Sequence, residues 1–197
     1  MHPPGDISPS PPSPAEPAPA EPEPPGPLEV AILDQGGDWS GFANRQTAIR
    51  AAAAALAAHR RCQHARGAEA CIVLADDALV QSLNRSYRGK DAPTNVLSFP
   101  FQEPTESASA GGGHGADEMR QLGDVVLAAE TVGSEAQAQG LTPEHHLQHL
   151  VVHGLLHLLG FDHETDAEAE AMEAVEVEIL ASLGIGDPYA ATEAGEE

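Results

Sequence analysis

The chain has 197 residues, a length typical of one domain, and its 31 acidic and 9 basic residues give a formal net charge of −22. That balance argues against a general polyanion-binding protein, because such proteins need a basic surface. No stretch of about 18 apolar residues and no secretory signal pattern are visible, so we expect no membrane association. The two cysteines are too few for a disulfide framework, which favours a cytoplasmic, reducing location.

The charge is distributed unevenly along the chain. Residues 45–95 carry 8 basic and 4 acidic residues, whereas residues 121–197 carry 16 acidic residues and no lysine or arginine. The basic segment is therefore the part that we expect to meet any phosphate-bearing ligand.

The first half of the chain predicts a tail followed by alternating strands and helices. Residues 1–27 hold 12 of the 17 prolines and little that is apolar, which predicts a disordered tail. The run LEVAIL (28–33) predicts a strand, and the alanine-rich residues 39–61 predict a helix. A second strand is expected at 69–75, and Asp76 is expected to cap the next helix.

The second half continues the pattern, with a loop at 88–95 and a third strand at 96–101. The Gly- and Ser-rich residues 102–118 predict a flexible loop, and LGDVVLAA (122–129) predicts a fourth strand. Three further helices are expected, with boundaries marked by capping residues: residues 130–139 ending at Gly140, a helix that Thr142 caps and Gly160 ends, and a last helix from Thr165 or Asp166.

The order β-α-β-α-β-β-α-α-α predicts a single α/β domain over residues 28–189, with residues 190–197 as an acidic tail. We expect a layered α+β arrangement in which a small mixed sheet of about four strands packs against helices.

A constellation of histidines stands out in HGLLHLLGFDH (153–163). His153 and His157 lie four residues apart and so share one helix face, while Gly160 lets the chain turn back and bring His163 to them. Three imidazoles leave one coordination position open, as in catalytic zinc sites, although Ni²⁺ or Cu²⁺ would also suit them.

The same residues also allow other interpretations than a zincin-like metal helix. His145 and His149 continue the same row, which would suit an ordinary histidine stripe, and His149 is a substitute candidate. Asp162 either orients a ligand imidazole or marks the turn. Zinc peptidases of the H-E-x-x-H type have a glutamate where this chain has Gly154, so a peptidase is disfavoured.

Cationic residues cluster at the end of the second predicted helix. Arg85, Arg88 and Lys90 could hold a phosphate, or they could simply face solvent at a helix C-terminus. Asn95 could bind a substrate or close the loop, and Ser98 could point into the cleft or make a hydrogen bond within its strand.

The histidine segment, together with LNRSYRGKDAPTNVLSFPF (83–101) and LGDVVLAA, resembles the YbeY family of endoribonucleases. The resemblance extends from residue 28 to the ending LGIGDPY (183–189). It implies one zinc ion held by His153, His157 and His163, and an important role for Arg88. The Pro-rich tail and the 102–118 insertion are departures from the family pattern.

The resemblance also implies a function and partners. These are cleavage of single-stranded RNA, maturation of the 16S rRNA 3′ end, and late ribosome quality control. The small ribosomal subunit, a small-subunit protein and an assembly GTPase are the implied partners. The alternative is a non-catalytic ribosome-assembly binding factor in which zinc is structural. Whether water or the ribose 2′-OH attacks the phosphate is not decided by any residue.

Overall fold

The computed structural model describes residues 26–101 and 119–190. Their elements follow the predicted order, with one added 3-10 helix at Gln63–Ala65. The strands are β1 (Glu29–Asp34), β2 (Ala68–Ala75), β3 (Val96–Pro100) and β4 (Arg120–Ala128). The helices are α1 (Arg45–Ala58), α2 (Asp77–Arg88), α3 (Ala129–Gln139), α4 (Pro143–Leu158) and α5 (Asp166–Ser182). Both predicted tails, apart from residues 26, 27 and 190, and the predicted loop at 102–118 lie outside the described residues.

The four strands form one mixed sheet in the order β1-β2-β4-β3, as the sequence predicted in outline. β1, β2 and β4 run parallel, and β3 runs antiparallel to β4 at one edge. Gly123 of β4, with φ of +128°, lies so close to β3 that a Cβ atom there would be 2.1 Å from the Phe99 carbonyl oxygen. Glycine at this position therefore lets β3 come close enough to pair with β4.

Two hydrophobic cores cover the two faces of the sheet, because successive strand residues point to opposite sides. Ile72 and Leu74 of β2 face the larger core, to which α1, α3, α4 and α5 contribute. Val126 of β4 and Leu97 of β3 face the smaller core beneath α2, which includes Val80. No helix in the described ranges is long and apolar enough to cross a bilayer.

The predicted start of α1 near Trp39 was wrong, because the helix begins at Arg45. Trp39 and Phe42 instead belong to a turn in which their ring centroids lie 4.9 Å apart. The Trp39 indole N–H donates a hydrogen bond to the Gly36 carbonyl oxygen at 3.0 Å. Their spacing of three residues imitates a helical pattern, although it comes from packing within the turn.

Helix α4 lies directly on strands β3 and β4, and its central glycine sets the distance. A Cβ atom at Gly154 would lie 2.5 Å from Cγ1 of Val125 and 3.2 Å from Oγ of Ser98. The Ser98 hydroxyl donates a hydrogen bond to the Gly154 carbonyl oxygen at 3.1 Å. The position that holds a glutamate in H-E-x-x-H peptidases therefore faces the sheet here and has no room for a side chain.

Candidate metal centre

Helix α4 presents two histidines one turn apart. The helix begins where the Thr142 hydroxyl accepts a hydrogen bond from the His145 backbone N–H at 3.2 Å. Further along, Nε2 of His153 and Nε2 of His157 are 3.1 Å apart, and both side chains are partly buried. Two imidazole nitrogens therefore face the same point in space.

The third histidine reaches that point through a turn. Gly160 has φ of +86°, and its N–H donates to the His157 carbonyl oxygen at 3.0 Å, which ends the helix. The chain then reverses, and the ring centroid of His163 lies 5.0 Å from that of His157. One ring nitrogen from each of His153, His157 and His163 can be chosen so that all lie within 4.8 Å of one another.

The donor set suits a transition-metal ion such as zinc, because three imidazoles converge and one side stays open. Burial, followed by the nearby rings of His153 and His163, lowers the pKa of His157 below its ordinary value. The neutral imidazole, which is the form that binds metal, is therefore favoured at neutral pH.

A cavity of about 240 Å³ joins these histidines to the cationic end of α2. α2 is followed by Gly89, whose φ of +69° turns the chain away from the helix axis. Apart from the three histidines, the lining comes from α2, its following loop and β3: Asn84, Arg88, Lys90, Thr94, Asn95, Val96, Leu97 and Ser98. One pocket therefore carries both an imidazole cluster and two cationic side chains.

Four of the predicted substrate-contacting residues line this pocket, but two of them have other engagements. Arg88 and Lys90 are exposed at its rim. The Asn95 amide donates to Glu135 at 2.9 Å, and its oxygen accepts from the Val96 N–H at 2.7 Å. Ser98, as described above, donates to helix α4. The polar groups of both residues are thus already used in holding the fold.

Arg85 is the fifth predicted substrate residue, and it is not among the pocket-lining residues. One of its guanidinium nitrogens lies 3.8 Å from an Asp91 carboxylate oxygen, and both side chains are 62% exposed. Asp91 also accepts a hydrogen bond from the Gln81 side chain at 3.0 Å. The pair therefore ties the loop after α2 to the outer side of that helix.

Asn84, which the sequence reasoning missed, anchors the same loop from inside. It is only 6% exposed, and its side-chain amide donates to the Ala92 carbonyl oxygen at 2.8 Å. A buried amide on an otherwise amphipathic helix was the available signal, since such a group needs a hydrogen-bond partner.

Behind the histidines lies a second group that the sequence reasoning missed. Glu176 of α5 is fully buried, and its Oε1 is 2.8 Å from Nδ1 of His153. Its Oε2 accepts a hydrogen bond from the Tyr189 hydroxyl. Although burial raises the Glu176 pKa, hydrogen bonds from His153 and Tyr189 outweigh it and leave the pKa below its ordinary value.

A signal for Glu176 existed in the sequence. Met172, Val175 and Ile179 mark the apolar face of α5, and position 176 falls on that face at helical spacing. An acidic residue at a core position needs a partner. Asp162 was the residue considered for orienting a ligand imidazole. It instead accepts a hydrogen bond from the His163 backbone N–H at 2.8 Å, as a turn residue does.

Comparison with known proteins gives one consistent family. The family model for endoribonuclease YbeY matches residues 40–184. The endoribonuclease YbeY of Azorhizobium caulinodans is 50% identical over 163 residues, which cover 83% of this chain and 97% of that protein. The one from Parvibaculum lavamentivorans is 50% identical over 170 residues, covering 86% and 89%. Among solved structures, the solution structure of TM1509 from Thermotoga maritima shares 21% identity over 85% of this chain and 99% of its own, with a TM-score of 0.43.

Proposed function

This chain belongs to the endoribonuclease YbeY family, and from that membership we propose that it cleaves single-stranded RNA with the help of a zinc ion. The observation that carries the proposal is a pocket whose lining includes both Arg88 and the three clustered histidines, His153, His157 and His163. The spacing of the three histidines supports a metal, and the guanidinium in the same pocket supports a phosphate substrate.

In this proposal the three histidines hold the metal through neutral ring nitrogens. A zinc ion held there would supply Lewis acidity toward a phosphoryl oxygen and toward a water molecule. The Nδ1–H of His153 donates a hydrogen bond to the Glu176 carboxylate, so the lone pair on Nε2 is available on the pocket side. His157 and His163 complete the set from the helix end and the turn.

Arg88 binds the scissile phosphate. Its planar guanidinium can donate two parallel N–H groups to phosphate oxygens, and its charge offsets the negative charge that builds on those oxygens in the transition state. Lys90 adds a second cation at the same rim. We propose a weaker role for Arg85, which contributes positive charge outside the pocket. Asn95 and Ser98 would shape the pocket without binding the substrate.

We also propose that the substrate is the 16S rRNA precursor, cleaved at its 3′ end in the cytoplasm. The charge distribution supports recruitment by a partner, because an acidic chain with one basic segment should bind free RNA weakly and in a salt-dependent way. Family resemblance suggests the small ribosomal subunit, one of its proteins and an assembly GTPase as those partners.

The test is a paired measurement of zinc content and cleavage of a labelled single-stranded RNA. His157→Ala is expected to lose zinc and cleavage together, and a chelator should abolish cleavage by the wild type. Undiminished cleavage by a zinc-free His153→Ala/His157→Ala protein would contradict the proposal.

Arg88→Ala separates catalysis from assembly binding. We expect a folded protein that keeps its zinc but cleaves about 100-fold more slowly, since one stabilising donor is lost. Arg60→Ala is the matched control, because Arg60 is exposed and pairs with Glu178 away from the pocket. A wild type that binds ribosomal particles but cleaves no RNA would instead favour the binding factor with a structural zinc.

A further inference from the structure

We propose that Glu176, held in turn by Tyr189, is a positioning residue that fixes the His153 ring for metal binding. The inference rests on the proposed function, because it concerns the same three-histidine site. It assigns a role to a buried carboxylate and to a tyrosine after α5, neither of which is itself a metal ligand.

The burial of Glu176 is the first observation. The side chain is fully buried on the apolar face of α5, where a carboxylate without a hydrogen-bond partner is strongly unfavourable. Such a residue persists only where its oxygens are engaged. Both of them are: Oε1 by His153 at 2.8 Å, and Oε2 by the Tyr189 hydroxyl.

The orientation of His153 is the second observation. Its Nδ1 points at Glu176, while its Nε2 lies 3.1 Å from Nε2 of His157. A carboxylate can only accept, so it keeps the proton on Nδ1 and leaves Nε2 as the lone-pair nitrogen. One contact therefore selects both the tautomer and the rotation of the ring, which is how outer carboxylates act on metal-bound histidines.

Tyr189 completes the arrangement from the segment after α5. Burial, the charge of Glu176 and their hydrogen bond raise the Tyr189 pKa above its ordinary value, so its hydroxyl stays protonated and donates. The tyrosine ring also packs edge-on against His149, with ring centroids 6.0 Å apart. His149 in turn brings Nε2 to 3.9 Å from Oε2 of Glu176. Hydrogen bonds with His153 and Tyr189 therefore hold Glu176 from two sides, while His149 packs beside them.

The experiment compares zinc affinity in Glu176→Gln, Tyr189→Phe and Glu178→Gln, measured with zinc chloride against a competing chelator. Glu178 is the matched control, because it lies on the same helix and contacts a histidine, His59 at 2.9 Å, that is outside the site. We expect zinc affinity to fall about 10- to 100-fold in Glu176→Gln, by less in Tyr189→Phe, and not in Glu178→Gln.

A second measurement separates positioning from simple structural support. Long-range ¹H–¹⁵N spectra of the metal-free proteins report the tautomer of each histidine. The wild type and Glu178→Gln should show His153 protonated at Nδ1, and Glu176→Gln should show a mixture of tautomers. Thermal melting of the metal-free variants shows whether they fold.

The outcomes are distinguishable. Unchanged zinc affinity and an unchanged His153 tautomer in Glu176→Gln would overturn the inference while leaving the proposed function intact. A Glu176→Gln protein that melts lower but binds zinc like the wild type would also overturn it, because Glu176 would then be structural only. If the wild type takes up no zinc, the proposed function and the inference fail together.

Discussion

Replacing Gly154 with alanine tests how closely helix α4 is held to the sheet. The added Cβ would lie 2.5 Å and 3.0 Å from the two γ-carbons of Val125. Carbon atoms in contact normally stand about 3.5–4.0 Å apart, so something must move. Val125 is fully buried on the interior strand β4, and its side chain has no solvent into which to swing.

The expected magnitude is a balance of two effects. Forcing a methyl group into a packed core costs about 1–3 kcal/mol, whereas alanine is favoured over glycine in a helix by about 1 kcal/mol. A contact as short as 2.5 Å places the cost near the upper end, so we expect Gly154→Ala to lower the free energy of unfolding by about 1–2 kcal/mol. The three histidines proposed to hold zinc lie on this helix and the turn after it and would shift together, so zinc binding should persist.

Gly133→Ala provides the matched control in helix α3. A Cβ atom there would lie 3.8 Å from the nearest atom of the Phe42 ring, which is ordinary contact. This variant should therefore gain up to about 1 kcal/mol from helix propensity alone. Urea unfolding of the metal-free proteins, followed by circular dichroism, should thus give shifts of opposite sign for the two glycines.

The result that refutes this reasoning is a Gly154→Ala protein stabilised as much as Gly133→Ala. A double-mutant cycle with Val125→Ala adds a direct check. If the clash with the γ-carbons is the cause, the two substitutions should interact favourably by more than about 0.5 kcal/mol. Strict additivity would assign the destabilisation to another contact.

Two further predictions concern the helix cap of α2 and a buried thiol. Asp76→Ala removes the carboxylate that accepts a hydrogen bond from the Leu79 N–H at 2.7 Å, and it should cost about 1 kcal/mol in urea unfolding. A change within experimental error would show that the cap is dispensable. Burial raises the pKa of the Cys62 thiol to about 11, so at pH 8 about one thiol in a thousand is ionised, and raising the pH toward 11 should speed alkylation. Native Cys62 labelled by iodoacetamide at pH 8 as fast as in urea would contradict this.

Features encoded within a few neighbouring residues were predictable from the sequence. Asp76 and Thr142 cap their helices as expected, and Gly140 ends α3 with φ of +67°. The approach of His153 and His157 follows from helix geometry alone. These properties depend on local backbone sterics and on donors at helix ends, which the tertiary fold did not override.

Features that depend on distant partners were not predictable in the same way. Arg85 and Arg88 lie three residues apart on α2, yet only Arg88 lines the pocket, because Arg85 is directed toward Asp91. The role of Glu176 depends on α5 packing beside α4, and no local sequence pattern predicts that His153 is the histidine it contacts. Strand order is of the same kind, since β4 lies between β2 and β3 through long-range pairing.

The three histidines lie within residues 153–163, whereas Arg88 comes from a helix on the other face of the sheet and reaches them past the edge strand β3. Closing so short a loop around an ion costs little chain entropy, but bringing Arg88 to it requires α2 to pack on β3 and β4. The two halves of the pocket should therefore differ in local stability, with the half that carries the three histidines surviving partial opening longer. During gradual denaturation, retained zinc would thus report an intact helix and turn, while loss of RNA cleavage would be the earlier sign that β3 has separated from the sheet.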